Sequence, residues 1–263
     1  MDTSVSELES RLQSATDPKE RIDILNELSW VLNLGGPDRS RAFAEQAYQL
    51  STSGVFEKEP YLLGIASSLR SIAALNNDAG KYELALSQSL QAIEFLDGIK
   101  TRNSKIDENK IDLFGNLSWT YRSFGDYDLA AEYGMKGLRL AQETQDLRHE
   151  TRMLNILSVI YAEAENLDAA LEMGLNVVEC QRELRYFPGE SIALNNLALT
   201  YLDMGDGEKA LSACQESIRI AREHDLKTVE TTALSTLGEI YIGIQDLVNA
   251  EKNLLDALAQ SRE

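Results

Sequence analysis

The segment Leu117–Ala130, LSWTYRSFGDYDLA, is repeated with variation three times further along the chain. The copies are LSVIYAEAENLDAA at Leu157–Ala170, LALTYLDMGDGEKA at Leu197–Ala210 and LGEIYIGIQDLVNA at Leu237–Ala250. Each copy begins with leucine, has tyrosine four residues later and ends with alanine, and the period is 40 residues. A fixed period of this length is typical of repeat proteins, in which each unit stacks on its neighbours and the stack offers a surface for binding.

Each copy predicts two helices joined by a tight turn. Around Tyr121 the apolar residues have helical spacing up to Gly125 and again after Asp126. Gly125 can take the left-handed conformation that ends a helix, and Asp126 can accept the free amides that begin the next one. Glu165 and Gln245 occupy the glycine position in two of the copies. We therefore expect the turns at those two residues to be either tighter or more strained than the glycine turns.

Two weaker copies precede these four. In the second copy Asn76 takes the place of the tyrosine, and the turn of the first, Gly35-Gly36-Pro37-Asp38, carries an extra residue. The predicted organisation is one continuous solenoid domain with an N-terminal helix or cap at 1–15 and six repeats at 16–55, 58–98, 104–143, 146–184, 187–225 and 227–263. The charged stretch Asp97–Lys110 is either a loop or a longer start to the third repeat, and its sequence assigns it no role.

The pattern of leucine, small residue and tyrosine on the first helix, with alanine on the second, resembles the tetratricopeptide repeat. The resemblance covers the chain from about Pro18 to Arg262. The period exceeds the about 34 residues usual for that family, and the proline common at the end of a repeat is absent. The resemblance implies an all-α, right-handed superhelical solenoid of stacked helical hairpins, whose concave wall is lined by the first helix of each hairpin.

In such arrays the wall is formed by positions nine, six and two residues before the tyrosine and one residue after it, which share one helical face. The predicted groove for a protein or peptide is lined by Asn26, Trp30, Asn33, Arg70, Asn77, Trp119, Arg122, Arg152, Asn155, Asn195, Leu199, Ser235 and Glu239. The same positions include Asp23, Ser67, Asp112, Val159, Ala162, Ile192, Leu202 and Ile242. Acids and arginines balance on this wall, so most of the negative charge of the chain is expected elsewhere.

Asparagine recurs at one position of the predicted wall, as Asn26, Asn155 and Asn195. An amide side chain can both donate to and accept from a peptide backbone, so these residues predict contact with an extended peptide. Their alternative role is hydrogen bonding to neighbouring helices. Trp30 and Trp119 on the same wall are either anchors for a partner or packing residues between hairpins. Beyond them the wall becomes apolar, which suits an amphipathic helix, apolar side chains of a peptide, or burial of a neighbouring helix.

Charge and composition exclude several classes of partner. The formal net charge of −18 argues against nucleic-acid binding, which needs a basic face. The chain has no signal peptide at its start and no apolar run of about 18–20 residues, so membrane insertion is not expected. Cys180 and Cys214 lie in helical segments and form no CxxC pair. A reducing, cytoplasmic location is therefore expected.

The residues also indicate no catalytic or cofactor site. His149 and His224 lie near turns between hairpins, where we expect them at the surface, and no ligand partner stands at metal spacing from them. Gly35-Gly36 lacks the following lysine and serine of a phosphate loop. We therefore expect a non-catalytic protein without a cofactor.

Two functional readings remain open from the sequence. One is a protein- or peptide-binding module that forms the sensory or docking region of a larger bacterial signalling protein, since the chain resembles the N-terminal sensory regions of such proteins. The other is a stand-alone adaptor or peptide receptor. Leu254, Leu255 and Leu258 on the last helix have no visible capping helix to cover them, which predicts a possible homo-oligomer through the C-terminal repeat.

Overall fold

The computed structural model describes residues 4–33 and 35–261, which form helices and short connections without a strand. The first hairpins comprise α1 Val5–Ser14, α2 Pro18–Leu32, α3 Pro37–Thr52, α4 Leu62–Asp78, α5 Tyr82–Asp97, α6 Ser104–Ser123 and α7 Tyr127–Glu143. They are followed by α8 Leu147–Glu163, α9 Leu167–Glu183, α10 Phe187–Asp203, α11 Gly207–Glu223, α12 Lys227–Gly243 and α13 Leu247–Gln260. A 3-10 turn at Gly54–Phe56 follows α3. Residues 1–3 of the predicted cap and residues 262 and 263 of the predicted sixth repeat lie outside the described residues.

From α7 onward the helices follow a regular half-repeat. Each helix from α7 to α12 has 17 residues, and three residues connect it to the next. The turn within a hairpin and the turn between hairpins are therefore built in the same way. By contrast, α6 has 20 residues, so Ser104–Lys110 forms the longer start to the third repeat that the sequence left as one of two alternatives.

The connection between α6 and α7 has the same turn geometry as these later connections. There Gly125 is left-handed (φ 77°), and the Asp126 N–H donates to the Tyr121 carbonyl at 3.0 Å. The Asp126 side chain then accepts from the Leu129 N–H at 3.0 Å. The residue that closes one helix thus caps the following helix, as predicted from Gly125 and Asp126.

Of the two expected alternatives, the more strained turn is found at Glu165 (φ 58°) and Gln245 (φ 65°). Three further non-glycine residues take the same conformation between hairpins: Gln145, Arg185 and Asp225. A left-handed residue with a Cβ costs about 1–2 kcal/mol relative to the right-handed form. Most of the regular turns therefore form without the residue that adopts this conformation most easily.

The chain divides into two compact units, Met1–His149 and Glu150–Glu263. In the first unit α1 packs on α2, and Leu8 is fully buried against Ile24 and Leu28. Asn76, in the place of the tyrosine, is buried and donates to Gln88 on α5 while it accepts from Arg41 on α3. Polar side chains therefore connect three helices at this position of the first unit.

In the second unit, small residues allow close packing within the hairpins. The Ser158 hydroxyl of α8 donates to the Ala170 carbonyl of α9 at 3.1 Å. A Cβ added to Gly238 would lie 2.6 Å from Leu254 Cγ, so α12 and α13 meet where glycine leaves room. These contacts explain the small residue after each repeat leucine.

No helix in the described part of the chain has the length and apolarity that a membrane crossing requires. The division into six repeats within one continuous domain stays a prediction, as does the right-handed superhelix.

Candidate functional site

Predicted wall residues of the first unit line one cavity against α2, α4 and α6. Its volume is about 290 Å³. The lining residues that were predicted are Asp23, Asn26, Trp30, Ser67, Arg70 and Asp112. Those that the repeat pattern did not indicate are Glu27, Leu63, Lys105, Glu108, Asn109 and His149. We call this surface the polar face.

A buried ion pair crosses the polar face. Arg70 Nη1 lies 2.8 Å from Asp112 Oδ2, and their side chains are only 9% and 3% exposed. The Arg70 guanidinium also lies 4.0 Å from the centre of the Trp30 ring. Both groups that could mark a groove, the arginine and the tryptophan, thus contact each other within the protein.

His149 extends this network, so the prediction of a surface histidine is wrong. Its Nε2 lies 3.4 Å from Asp112 Oδ1, its Nδ1 lies 2.6 Å from Asp146 Oδ2, and the side chain is 23% exposed. Partial burial opposes ionisation of Asp146, but the hydrogen bonds from the His149 backbone and ring outweigh it, and the pKa of Asp146 is lowered. The ring thus joins two carboxylates of the first unit.

Asn26 of the polar face, and Asn77 further along the predicted wall, hold successive first helices together. Asn26 Nδ2 donates to the Gly64 carbonyl at 3.0 Å, and Asn26 Oδ1 accepts from the Ser68 hydroxyl at 2.8 Å. Asn77 donates to the Asn116 carbonyl at 3.1 Å and accepts from Thr120 at 2.8 Å. For Asn26 the structure shows the alternative role, hydrogen bonding to a neighbouring helix, and Asn77 bonds in the same way.

The corresponding asparagines of the second unit behave differently. Asn195 is 6% exposed, and its Oδ1 has no hydrogen-bond donor among the described residues. Asn155 is half-buried, and its side chain likewise bonds to no residue of the described chain. In the repeat register the place of Ser68, which donates to Asn26, is taken by Ala193 and Ala233. An alanine has no hydroxyl to offer, so the amide in the preceding repeat is left without that donor.

Exposed aliphatic side chains occupy other predicted wall positions of the second unit. Val159, Ile192 and Ile242 are 36%, 47% and 50% exposed, which is high for large aliphatic side chains. Other predicted wall residues here are half-buried: Arg152, Ala162, Leu199, Leu202 and Ser235. Glu239 is exposed. We call the residues Asn155, Val159, Ile192, Asn195, Leu199 and Ile242 the apolar face.

The remaining predicted groove residues lie at the ends of α2 and α6. Trp119 is 39% exposed, and the Arg122 guanidinium covers its ring at 4.4 Å. Asn33 is half-buried at the end of α2, and its Oδ1 has no hydrogen-bond partner among the described residues. That any of these side chains contacts a ligand stays a prediction.

The two cysteines and His224 differ in burial and in their contacts. Cys214 is fully buried, burial raises the pKa of its thiol to about 12, and the thiol lies 3.2 Å from the Ala233 carbonyl. Cys180 is half-buried, and burial also raises its pKa. His224 is exposed, as predicted, and stacks on Phe187 at 3.8 Å between ring centres. Within the described chain no three histidine, cysteine, aspartate or glutamate side chains form a group that could hold a metal ion.

The helical hairpins and their repeated turn define an all-α repeat solenoid as the fold class. Family models described as tetratricopeptide repeat match residues 111–144 and 189–263. These two segments therefore match tetratricopeptide repeats, in agreement with the resemblance seen in the sequence pattern. No curated protein matches the sequence.

Solved structures with the same fold share little sequence with this chain. BtubC (BKLC) from P. vanneervenii has a TM-score of 0.67 at 16% identity, over 97% of this chain and 91% of that one. A STAND (signal transduction ATPase with numerous domains) protein with a tetratricopeptide-repeat sensor, from Pyrococcus horikoshii, has a TM-score of 0.67 at 17% identity, over 97% of this chain and 39% of that one. The Rap conjugation gene regulator of plasmid pLS20, solved with the Phr* peptide, has a TM-score of 0.60 at 14% identity, over 94% and 76%.

Proposed function

We propose that this chain is a non-catalytic module that binds a segment of a protein or a peptide, and that the apolar face of the second unit is its groove. The observation that carries the proposal is the buried Asn195 side chain, whose Oδ1 has no donor. A buried acceptor without a partner costs about 1–3 kcal/mol of stability. Oδ1 is almost wholly covered in the free chain. Rotation of the Asn195 side chain on binding would bring it to a peptide N–H, and the new hydrogen bond would offset that cost.

The chemistry of the face suits an extended peptide. The repeat register places Asn155 and Asn195 at the same position of α8 and α10, where each amide can bond to both polar groups of a peptide backbone. The exposed side chains of Val159, Ile192 and Ile242 offer apolar contacts to alternate side chains of such a peptide. Backbone recognition supplies affinity, and the apolar contacts supply selectivity.

As biological context we propose the sensory or docking region of a larger bacterial signalling protein, acting in the cytoplasm without a cofactor or nucleic acid. Support comes from the fold shared with a STAND protein that has a tetratricopeptide-repeat sensor. The alternative is a stand-alone adaptor or peptide receptor, which the fold shared with a Rap regulator in complex with a peptide supports. Detecting the native product with an antibody separates the two, because a product much heavier than 29.3 kDa supports the first.

The alternative of a stand-alone adaptor or receptor also includes self-association through α13. Val248, Leu255 and Leu258 are 81%, 57% and 48% exposed on that helix. Light scattering during size-exclusion chromatography measures the mass of the particle in solution. A dimer that becomes a monomer in the variant Leu255→Glu with Leu258→Glu supports association through this helix, and a monomeric wild type contradicts it.

The groove is tested with peptides selected from a random dodecapeptide display library on the immobilised protein. Their affinities are then measured by fluorescence anisotropy for wild type and for the variant Asn155→Ala with Asn195→Ala. Each hydrogen bond is worth about 0.5–1.5 kcal/mol. We therefore expect the double variant to bind the selected peptides at least about tenfold more weakly than the wild type does. Circular dichroism checks that it remains folded.

The matched control is Gln215→Ala, which also removes one amide, at an exposed position of α11. We expect it to bind the selected peptides as the wild type does. If the library yields no peptide, or if the double variant binds every selected peptide with unchanged affinity, the apolar face is not the groove.

A further inference from the structure

A second cavity in the first unit lies away from the polar face, beside the charged stretch that the sequence left without a role. Its volume is about 620 Å³. The end of α5, the connection to α6, the start of α6 and one side of α7 surround it. Its apolar lining consists of Leu96, Ile99, Ile106, Phe114 and Leu140.

Four cationic side chains line this cavity, in a chain whose net charge is −18. They are Arg102, Lys110, Lys136 and Arg139. Three acids, Asp97, Asp107 and Glu143, also line it. With four positive and three negative groups, the lining is slightly basic where the rest of the chain is strongly acidic. We call this site the basic cavity.

The cations differ in how far they are neutralised. Arg102 Nε lies 2.9 Å from Asp107 Oδ2, and Lys110 Nζ lies 2.6 Å from Asp97 Oδ1. Arg139 is exposed, its Nε donates to the carbonyl of Met135 at 3.2 Å, and no carboxylate of the described chain forms an ion pair with it. The cavity thus carries a guanidinium that is free to bind an anion.

Lys136 lies one turn before Arg139 on α7. Its ammonium pairs with Glu132 at 2.7 Å and lies 4.5 Å from the centre of the Tyr133 ring. The side chain is 40% exposed, so this ion pair contributes little to stability and can exchange its partner. Arg139 and Lys136 together form a pair of cations on the α7 side of the basic cavity.

We infer that the basic cavity binds an acidic segment of a partner protein that carries an apolar side chain. The apolar side chain enters against Phe114, Leu140 and Ile99. The carboxylates of the segment pair with Arg139 and with Lys136. This site differs in chemistry and in place from the groove proposed above, and it does not depend on that groove.

Charge complementarity selects this class of partner. The acidic residues between the cations would repel the closely spaced phosphates of a nucleic acid or of an anionic lipid surface. A peptide can place its carboxylates only where the cations lie and leave the positions facing Asp97 and Glu143 uncharged. The apolar lining adds contacts that a purely ionic ligand could not use.

The test uses a fluorescein-labelled octapeptide with Leu-Phe at its centre and three glutamates on either side, and measures anisotropy with the full chain. Counterparts with glutamine or lysine in place of glutamate measure the charge requirement. We expect the glutamate peptide to bind at least tenfold more tightly than either counterpart. We also expect its binding to weaken at least tenfold in the variant Lys136→Glu with Arg139→Glu.

The matched control, Lys227→Glu with Lys252→Glu, changes the net charge equally at two exposed lysines of the second unit. We expect it to bind the glutamate peptide within twofold of the wild type. An equal loss in both double variants would show a non-specific charge effect and overturn the inference. If the reversed charges unfold the cavity variant, as circular dichroism would show, Lys136→Gln with Arg139→Gln replaces it.

Three further outcomes contradict the proposal. One is that the glutamate peptide binds no better than its glutamine counterpart. In the second, a single-stranded oligothymidine binds more tightly than the glutamate peptide, and the cavity variant abolishes this binding. In the third, vesicles containing phosphatidylserine do the same. Either would assign the cavity to another class of partner.

Discussion

The polar face of the first unit and the apolar face of the second are built on the same repeat positions but treat their polar groups in opposite ways. On the polar face Asn26 bonds to Gly64 and Ser68, and Arg70 pairs with Asp112. On the apolar face Asn195 is equally buried, yet its Oδ1 has no donor. The residue at a repeat position therefore does not by itself determine the role of its side chain. The neighbouring helix decides whether an amide bonds to the stack, as Asn26 does, or lacks a donor, as Asn195 does.

The largest effect is expected where the polar face is most tightly connected. Arg70→Ala leaves the Asp112 carboxylate, only 3% exposed, without its guanidinium. Removing one partner of a buried ion pair costs about 3–5 kcal/mol. We therefore expect the free energy of unfolding, measured by urea titration with circular dichroism, to fall by that amount.

The control for this prediction is an ion pair in the second unit that water surrounds. Arg219 binds Glu216 and Glu223 with its side chain 52% exposed. Arg219→Ala should change the free energy of unfolding only slightly, because solvent screens such pairs. Equal losses for Arg70→Ala and Arg219→Ala would mean that the polar face does not owe its stability to the buried pair.

The second prediction tests the difference between Asn26 and Asn195 directly. Asn26→Ala removes two hydrogen bonds and leaves the Gly64 carbonyl and the Ser68 hydroxyl with one bond fewer. We expect it to lower the free energy of unfolding by about 1–3 kcal/mol. Asn195→Ala removes a buried acceptor that has no donor, so stability should stay the same or rise by about 1 kcal/mol. Urea titration measures both variants, and a loss at Asn195 equal to that at Asn26 would show that Asn195 has a structural role.

Much of this architecture was predictable from the sequence, because it depends on short local patterns. The repeat leucine and tyrosine, with Gly125 and Asp126 at the turn, indicated the helices and the way they are joined. The role of each asparagine was not predictable in the same way. It depends on which residue of another helix faces that position, as Ser68 faces Asn26.

The site was only partly predictable, and for the same reason. Arg70 and Trp30 line the polar face, but their contact with each other requires the three-dimensional stack. His149 was expected at the surface because its neighbours in sequence are charged. One of its two carboxylate partners, Asp112, lies 37 residues earlier, so no local pattern indicates it. The residue at the position of Ser68 was a signal that could have been found in the sequence. A serine there offers a donor to the asparagine of the preceding repeat, and an alanine does not.

The third prediction concerns the turns, where the second unit has more residues under strain. Gly125→Ala in the first unit places a Cβ on a residue with φ 77° and should cost about 1–2 kcal/mol. Glu165→Gly in the second unit removes such a Cβ from a residue with φ 58°. Removing the strain raises the free energy of unfolding, but the greater freedom of glycine in the unfolded chain offsets part of this increase. We therefore expect a net increase of about 0.5–1 kcal/mol in the free energy of unfolding. Thermal unfolding resolves both, and a loss of stability in Glu165→Gly would show that this side chain contributes more than its backbone costs.

The smallest effect comes from exchanging the feature that distinguishes the two faces. Ala233→Ser places a hydroxyl at the repeat position of Ser68, next to Asn195 in the register. We expect it to raise the free energy of unfolding by about 0.5–1 kcal/mol, since the buried Oδ1 of Asn195 gains a donor. Ser68→Ala should lower the free energy of unfolding by a similar amount. Urea titration of both variants measures these changes.

The same exchange connects stability with binding. If Asn195 Oδ1 is the acceptor for a peptide N–H, Ala233→Ser should weaken the binding of the selected peptides, because the new hydroxyl occupies that acceptor. Ser68→Ala, in the first unit, should leave peptide affinity unchanged. A variant Ala233→Ser that gains stability but keeps full affinity would separate the two effects. It would show that Asn195 lacks a donor for a reason unrelated to the groove, whereas loss of affinity together with a gain in stability shows that the second unit gives up stability in order to bind.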